Sequence, residues 1–176
     1  MQIPFFKPSM SGFEDIKPYL MQIDENKWYS NNGPLVQLLE ERLAHLWLQN
    51  ASIGCFVNGT IALQLGLRYY AQQHKEEQPV CFLPSWTFSA TPAAIIQAGC
   101  QPFFLDVDLE TWMLTPQIVL QAIRQTNIKP AAICPVSTFG CPIDIQAWET
   151  FSENTGIPVL IDAAASFASY PASNLP

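Results

Sequence analysis

Leu35, Leu38, Leu39, Leu43 and Leu46 recur at intervals of three and four, the spacing of one helix face. The pattern predicts an amphipathic helix from Pro34, a residue suited to a first helical turn, to about Gln49. Ahead of it, Ser11 and Glu14 have capping-box spacing and open a helix to about Ile23, with Pro18 inside it. Trp28-Tyr29-Ser30-Asn31-Asn32-Gly33 is loop chemistry, and residues 1–10 read as an extended arm. From residue 52 short apolar runs alternate with helical stretches. Strands are expected over 52–57, 80–83, 101–105, 131–136 and 157–161. Helices are expected over 60–70, 88–98, 115–124 and 144–154. Thr115-Pro116 and Asp144 supply helix starts, and Gly99 and Gly156 supply stops. The strands are continuously apolar, as when both faces of a sheet are covered. The expected class is α/β with a mostly parallel sheet and flanking helices.

Composition narrows the function classes. The 176 residues are 49% apolar and only 13% charged, with a net charge of −7. An acidic chain without a Lys/Arg cluster is a poor partner for nucleic acid or an anionic membrane. Disorder is excluded by the apolar content and by aromatics at 12% spread along the chain. The opening ten residues lack a continuous apolar stretch, and no run approaches the roughly 18 apolar residues of a membrane span. A cytoplasmic protein is expected. The five cysteines, Cys55, Cys81, Cys100, Cys134 and Cys141, form no C-x-x-C and read as reduced thiols. His45 and His74 have no ligand spacing to them, so no metal site is expected.

In a parallel α/β sheet, ligands bind beyond the carboxyl ends of the strands. The 52–57 run delivers Asn58-Gly59-Thr60 there. Gly59 permits close backbone approach, and Thr60 with Ile61 offers a hydroxyl and N–H groups at a helix N-terminus, an anion site suited to phosphate. Turn and cap chemistry alone also accounts for it. The next strand delivers Trp86, either a flat face for a ring or a packing residue. Ser137 and Thr138 follow the fourth strand, as ligand hydroxyls or as turn residues. The fifth delivers Asp162, costly to bury unpaired and read either as a helix cap or as the partner of a protonated ring nitrogen. A phosphate cup, an aromatic face and a carboxylate on one sheet edge are the supports that pyridoxal phosphate needs.

At these residues the sequence resembles the DegT/DnrJ/StrS family of pyridoxal-phosphate aminotransferases, which act on nucleotide sugars. The resemblance runs almost end to end. It starts at Ile3-Pro4-Phe5 and Ser30-Asn31-Asn32-Gly33-Pro34, and continues through Asn58-Gly59-Thr60 and Pro84-Ser85-Trp86-Thr87-Phe88 with Ala90-Thr91. Asp106-Val107-Asp108, Pro135-Val136 and Phe139-Gly140 follow, and Ile157-Pro158-Val159-Leu160-Ile161-Asp162-Ala163-Ala164 closes it. It implies the fold type I, aspartate-aminotransferase-like large domain. It implies that Gly59 and Thr60 hold the cofactor phosphate, Trp86 stacks on the pyridine ring and Asp162 pairs with the ring nitrogen. It further implies a homodimer, with the Asn31-Asn32-Gly33 loop near a shared active site. Substrates by resemblance are a keto-sugar nucleotide and an amino-acid donor, glutamate, in polysaccharide or amino-sugar biosynthesis.

Two departures qualify this. Ala165 stands where the family usually carries Gln or His beside the cofactor. The family's Schiff-base lysine lies beyond the aspartate, and none of Lys7, Lys17, Lys27, Lys75 and Lys129 follows Asp162. No catalytic residue is therefore assigned. The chain reads as a truncated portion: an arm and helix over 1–30, then an incomplete cofactor-binding domain over 31–176, inactive alone. Two alternatives stand beside it: a non-catalytic interaction module, or a family member with pyridoxal-dependent sugar dehydratase chemistry.

Overall fold

A computed structural model describes residues 10–47 and 52–167. Most of the expected N-terminal arm lies outside the described residues. The chain forms two compact units, one up to Cys55 and one from Phe56.

The first unit carries α1 (Phe13–Asn26) and α2 (Pro34–Trp47). The cap of α1 is one residue later than the sequence predicts. Gly12 N–H donates to Asp15 Oδ2 at 3.0 Å, in place of a Ser11/Glu14 box. Glu14 instead faces Lys17 in an exposed pair at 3.9 Å. Arg42 of α2 donates to Tyr19 Oη of α1 at 2.9 Å. Residues 52–55 were expected to open a strand, and with Phe56 and Val57 they form none. A strand needs a neighbour to receive its backbone groups, and no described segment pairs with this run. Phe56 and Val57 are consequently exposed.

The second unit holds α3 (Gly59–Gln73), β1 (Val80–Pro84), α4 (Ala90–Gln97), β2 (Gln101–Leu105), α5 (Pro116–Thr126), β3 (Ala132–Ile133) and α6 (Ile145–Thr155). Its helix boundaries follow the signals in the sequence. Thr115 accepts from Ile118 N–H at 3.4 Å with Pro116 behind it. Asp144 Oδ1 accepts from Ala147 N–H at 3.0 Å. Gly156 ends α6 in the left-handed region at φ 66°, where a side chain would be strained.

The sheet is parallel, in the order β2-β1-β3. A fourth segment lies beside β3, paired only through Ile133–Val159 and Val136–Asp162. The expected strands 131–136 and 157–161 are thus shortened to two residues and to isolated bridges. Pro135 and Pro158 explain this, because neither has an N–H to give to a ladder. Their carbonyls still accept, from Asp162 and Ile133 N–H respectively, each at 2.9 Å.

Side chains alternate across the sheet. Phe82 and Ile133 pack with Val119, Trp148 and Phe151 on the face covered by α5 and α6. Cys81, Leu83 and Cys134 pack with Leu67, Ile95 and Cys100 on the face covered by α3 and α4. A Cβ at Gly66 would lie 2.9 Å from Leu160 Cδ2, so α3 approaches the last segment at a glycine. Gly66→Val is therefore expected to cost about 1–3 kcal/mol through overpacking, read by chemical denaturation. An unchanged midpoint would show that α3 does not pack this closely.

Cys81, Cys100 and Cys134 are buried free thiols. Burial raises each pKa above the ordinary 9.0, and the nearby Asp162 carboxylate raises that of Cys134 further. The folded state then holds thiol protons that the unfolded chain releases. This contribution is complete below the ordinary thiol value and is lost as pH rises above it. Stability is expected to fall above about pH 9, and the fall to be shallower in Cys134→Ala. Equal slopes in denaturation across that range would refute the assignment.

Candidate functional site

Gly59, Thr60, Trp86 and Asp162 line one cleft of about 540 Å³. Each arrives from a different connection. Gly59 and Thr60 open α3, Trp86 follows β1, and Asp162 ends the segment beside β3. Val136, Ser137, Thr138 and Phe139 follow β3 and complete one wall. The cleft lies where a parallel sheet places ligands, beyond its carboxyl ends.

The start of α3 is tuned by Asn58. Its Oδ1 accepts from Ile61 N–H at 2.9 Å, so the N–H of Ile61 is already used. This corrects the sequence reading, which offered Ile61 to an anion. The N–H groups of Gly59 and Thr60 have no protein acceptor among the described residues, and they carry the positive end of a 15-residue helix. A Cβ at Gly59 would meet nothing within 4 Å, so the backbone there is open to close approach.

Asp162 is fixed at backbone and side chain. Its N–H donates to Pro135 O and its carbonyl accepts from Ser137 N–H, both at 2.9 Å. Oδ1 accepts from Ala164 N–H at 3.2 Å, closing a turn. No helix follows among the described residues, so the helix-cap reading of Asp162 is replaced by a turn. Oδ2 accepts from Thr91 Oγ1 at 2.7 Å. Thr91 is wholly buried, and its single proton goes to the carboxylate, so Thr87 Oγ1, 2.9 Å away, donates to Thr91. The chain Thr87–Thr91–Asp162 orients the carboxylate beside the cleft.

Trp86 is not a core residue, being 43% exposed. Two aromatic rings meet it edge to face: Trp112 at 5.5 Å and 79°, Phe139 at 6.3 Å and 63°. Both neighbours have left-handed backbones, with φ of 60° and 53°. Asp108 builds the turn that presents Trp112. Its Oδ1 accepts from Thr111 N–H and Thr111 Oγ1, each at 2.8 Å, and these bonds lower its pKa.

The Asn31-Asn32-Gly33 loop belongs to the first unit, with Asn31 and Asn32 at φ 55° and 57°. Ala165 lines the cleft beside Ala164. Thr91 and Thr87 were not singled out from sequence as carriers of function. The available signal was a hydroxyl in the buried stripe of α4, three and four residues before Ala94 and Ile95. Its partner lies 71 positions away.

Comparison with known proteins gives a consistent picture. The model of the DegT/DnrJ/EryC1/StrS aminotransferase family matches residues 11–172. A dTDP-4-amino-4,6-dideoxy-D-glucose transaminase of Escherichia coli is 35% identical over 166 residues, covering 94% of this chain and 42% of that protein. A UDP-2-acetamido-2-deoxy-3-oxo-D-glucuronate aminotransferase of Pseudomonas aeruginosa is 37% identical over 139 residues, covering 78% and 37%. The crystal structure of DesI with its TDP-sugar product superimposes with a TM-score of 0.76 at 29% identity, covering 96% of this chain and 42% of that one. The chain thus spans about two-fifths of the length of these relatives.

Thr91→Val keeps the shape of Thr91 and removes the donor to Asp162. A loss of about 1–3 kcal/mol in chemical denaturation is expected, with Thr91→Ser close to wild type. A valine variant as stable as the wild type would show that the carboxylate does not depend on this bond.

Proposed function

The chain belongs to the DegT/DnrJ/EryC1/StrS aminotransferase family, and from that premise we propose that it is the cofactor-binding part of a pyridoxal-phosphate aminotransferase. The proposed reaction moves an amino group, from glutamate, to a keto-sugar nucleotide in polysaccharide or amino-sugar synthesis. The named relatives are nucleotide-sugar enzymes, which supports this substrate class.

The observation that carries the reading is the convergence of Gly59, Thr60, Trp86 and Asp162 on one cleft. The donor set fits the cofactor. The free N–H groups of Gly59 and Thr60, with the Thr60 hydroxyl, would hold the phosphate at the positive end of α3. Trp86, braced by Trp112 and Phe139, would give its face to the pyridine ring. Asp162, held by Thr91 and the Ala164 N–H, would keep the ring nitrogen protonated. When bound, pyridoxal phosphate supplies an electron sink for bonds at the substrate carbon.

No lysine lines the described cleft. The role proposed for the described residues is accordingly limited to holding the cofactor. A homodimer is part of the proposal. A non-catalytic interaction module is the second reading. It is favoured by α1, which buries no residue and exposes Phe13, Leu20 and Met21.

Pyridoxamine 5′-phosphate tests the site without forming bonds to surface lysines. Titration into the chain, followed by tryptophan fluorescence, is expected to show saturable binding. Thr60→Val is expected to weaken it by about 10-fold, the loss of one hydrogen bond to a charged group. Asp162→Asn is expected to weaken it further and to remove its dependence on protonation of the ring nitrogen. Binding unaffected by both substitutions would place the ligand elsewhere.

A further inference from the structure

Two local costs stand side by side on one wall of the cleft. Thr138 lines the cleft, yet its Oγ1 is sealed from solvent with no hydrogen-bond partner among the described residues. No other described side chain is in that state. A buried hydroxyl without a partner loses its hydration and gains nothing in return. The next residue, Phe139, holds a left-handed backbone at φ 53° and ψ 22° and is itself 87% exposed. Non-glycine residues persist there only when their surroundings impose it. The turn bonds around Phe139 and its contact with Trp86 hold that backbone, whereas no hydrogen bond among the described residues offsets the buried hydroxyl.

The neighbouring hydroxyls are already engaged. Ser137 Oγ donates to Cys141 O, and Thr87 and Thr91 serve Asp162. A valine at 138 would keep the shape of the wall and leave no unpaired hydroxyl. An unsatisfied hydroxyl on the wall of a cleft calls for a partner outside the described side chains.

We propose that Thr138 is a ligand-binding residue whose hydroxyl donates to an oxygen substituent on the aromatic ring received by Trp86 and Asp162. This rests on the reading that the cleft takes pyridoxal phosphate, whose ring carries such an oxygen at its 3-position. Because the hydroxyl is sealed from solvent, the proposal requires Thr138 to turn about its Cα–Cβ bond to present it to a ligand. Phe139 flanks the same wall and braces Trp86.

The test compares the 176-residue chain with Thr138→Val, Thr138→Ala and Thr138→Ser, using thermal unfolding without ligand and titration with pyridoxamine 5′-phosphate. Thr138→Val is expected to unfold at the wild-type temperature or higher, and to bind the probe ~10-fold more weakly. Thr138→Ala is expected to lose binding by a similar factor, and Thr138→Ser to retain it. Against a probe lacking the 3-oxygen, the wild type and Thr138→Val are expected to bind alike. Equal binding of the complete probe by wild type and Thr138→Val overturns the inference. So does a loss by Thr138→Val that is the same for both probes. A wild type that binds neither probe, or a Thr60→Val chain that binds like wild type, overturns the reading of the cleft and this inference with it.

Discussion

The site depends on how one carboxylate is held at the end of an apolar segment. Asp162 is anchored at its N–H, its carbonyl and both side-chain oxygens. The backbone bonds tie it to Pro135 and Ser137, and so to the end of β3. The side-chain bond to Thr91 ties it to α4. Removing a charged group from water without partners is expensive, and here the partners come from the end of β3, from α4 and from the turn that Asp162 itself opens. The sheet register and the α4 packing therefore act together on the direction of a single carboxylate.

The same constraint accounts for the sheet's irregularity. Pro135 and Pro158 interrupt the pairing between β3 and the 157–162 segment, reducing it to isolated bridges. The bonds that survive are those that place Asp162 and the 136–139 wall beside each other. Regular pairing is given up where the backbone leaves the sheet to form the cleft. Around Trp86 a comparable compromise is visible. Trp112 and Phe139 take left-handed backbones and in doing so bring their ring edges to the indole. Non-glycine residues tolerate that region poorly, so the cluster is held by its turns, such as the one closed by Asp108 and Thr111.

Much of the fold was legible locally. Thr115-Pro116, Asp144 and Gly156 mark helix ends because capping is decided within three or four residues. The α1 cap moved by one residue because Asp15 reaches the Gly12 N–H. The strand expected over 52–57 failed for a different reason. Apolar composition suits a strand, but a strand also needs a paired neighbour, and none is present among the described residues.

The sequence alone determined the α/β class, the order of the helices and the residue types at the sheet edge: a glycine and threonine, a tryptophan and an aspartate. These follow from periodicity, caps and the rule that ligands gather at carboxyl ends of parallel strands. Only the tertiary structure decided that Thr91 orients Asp162 and that the Thr138 hydroxyl on the cleft wall has no partner among the described residues. Caps and periodicity are local, whereas the partners of a buried hydroxyl depend on which elements pack together. Thr91 and Asp162 meet across 71 residues of chain, a separation that no local pattern records.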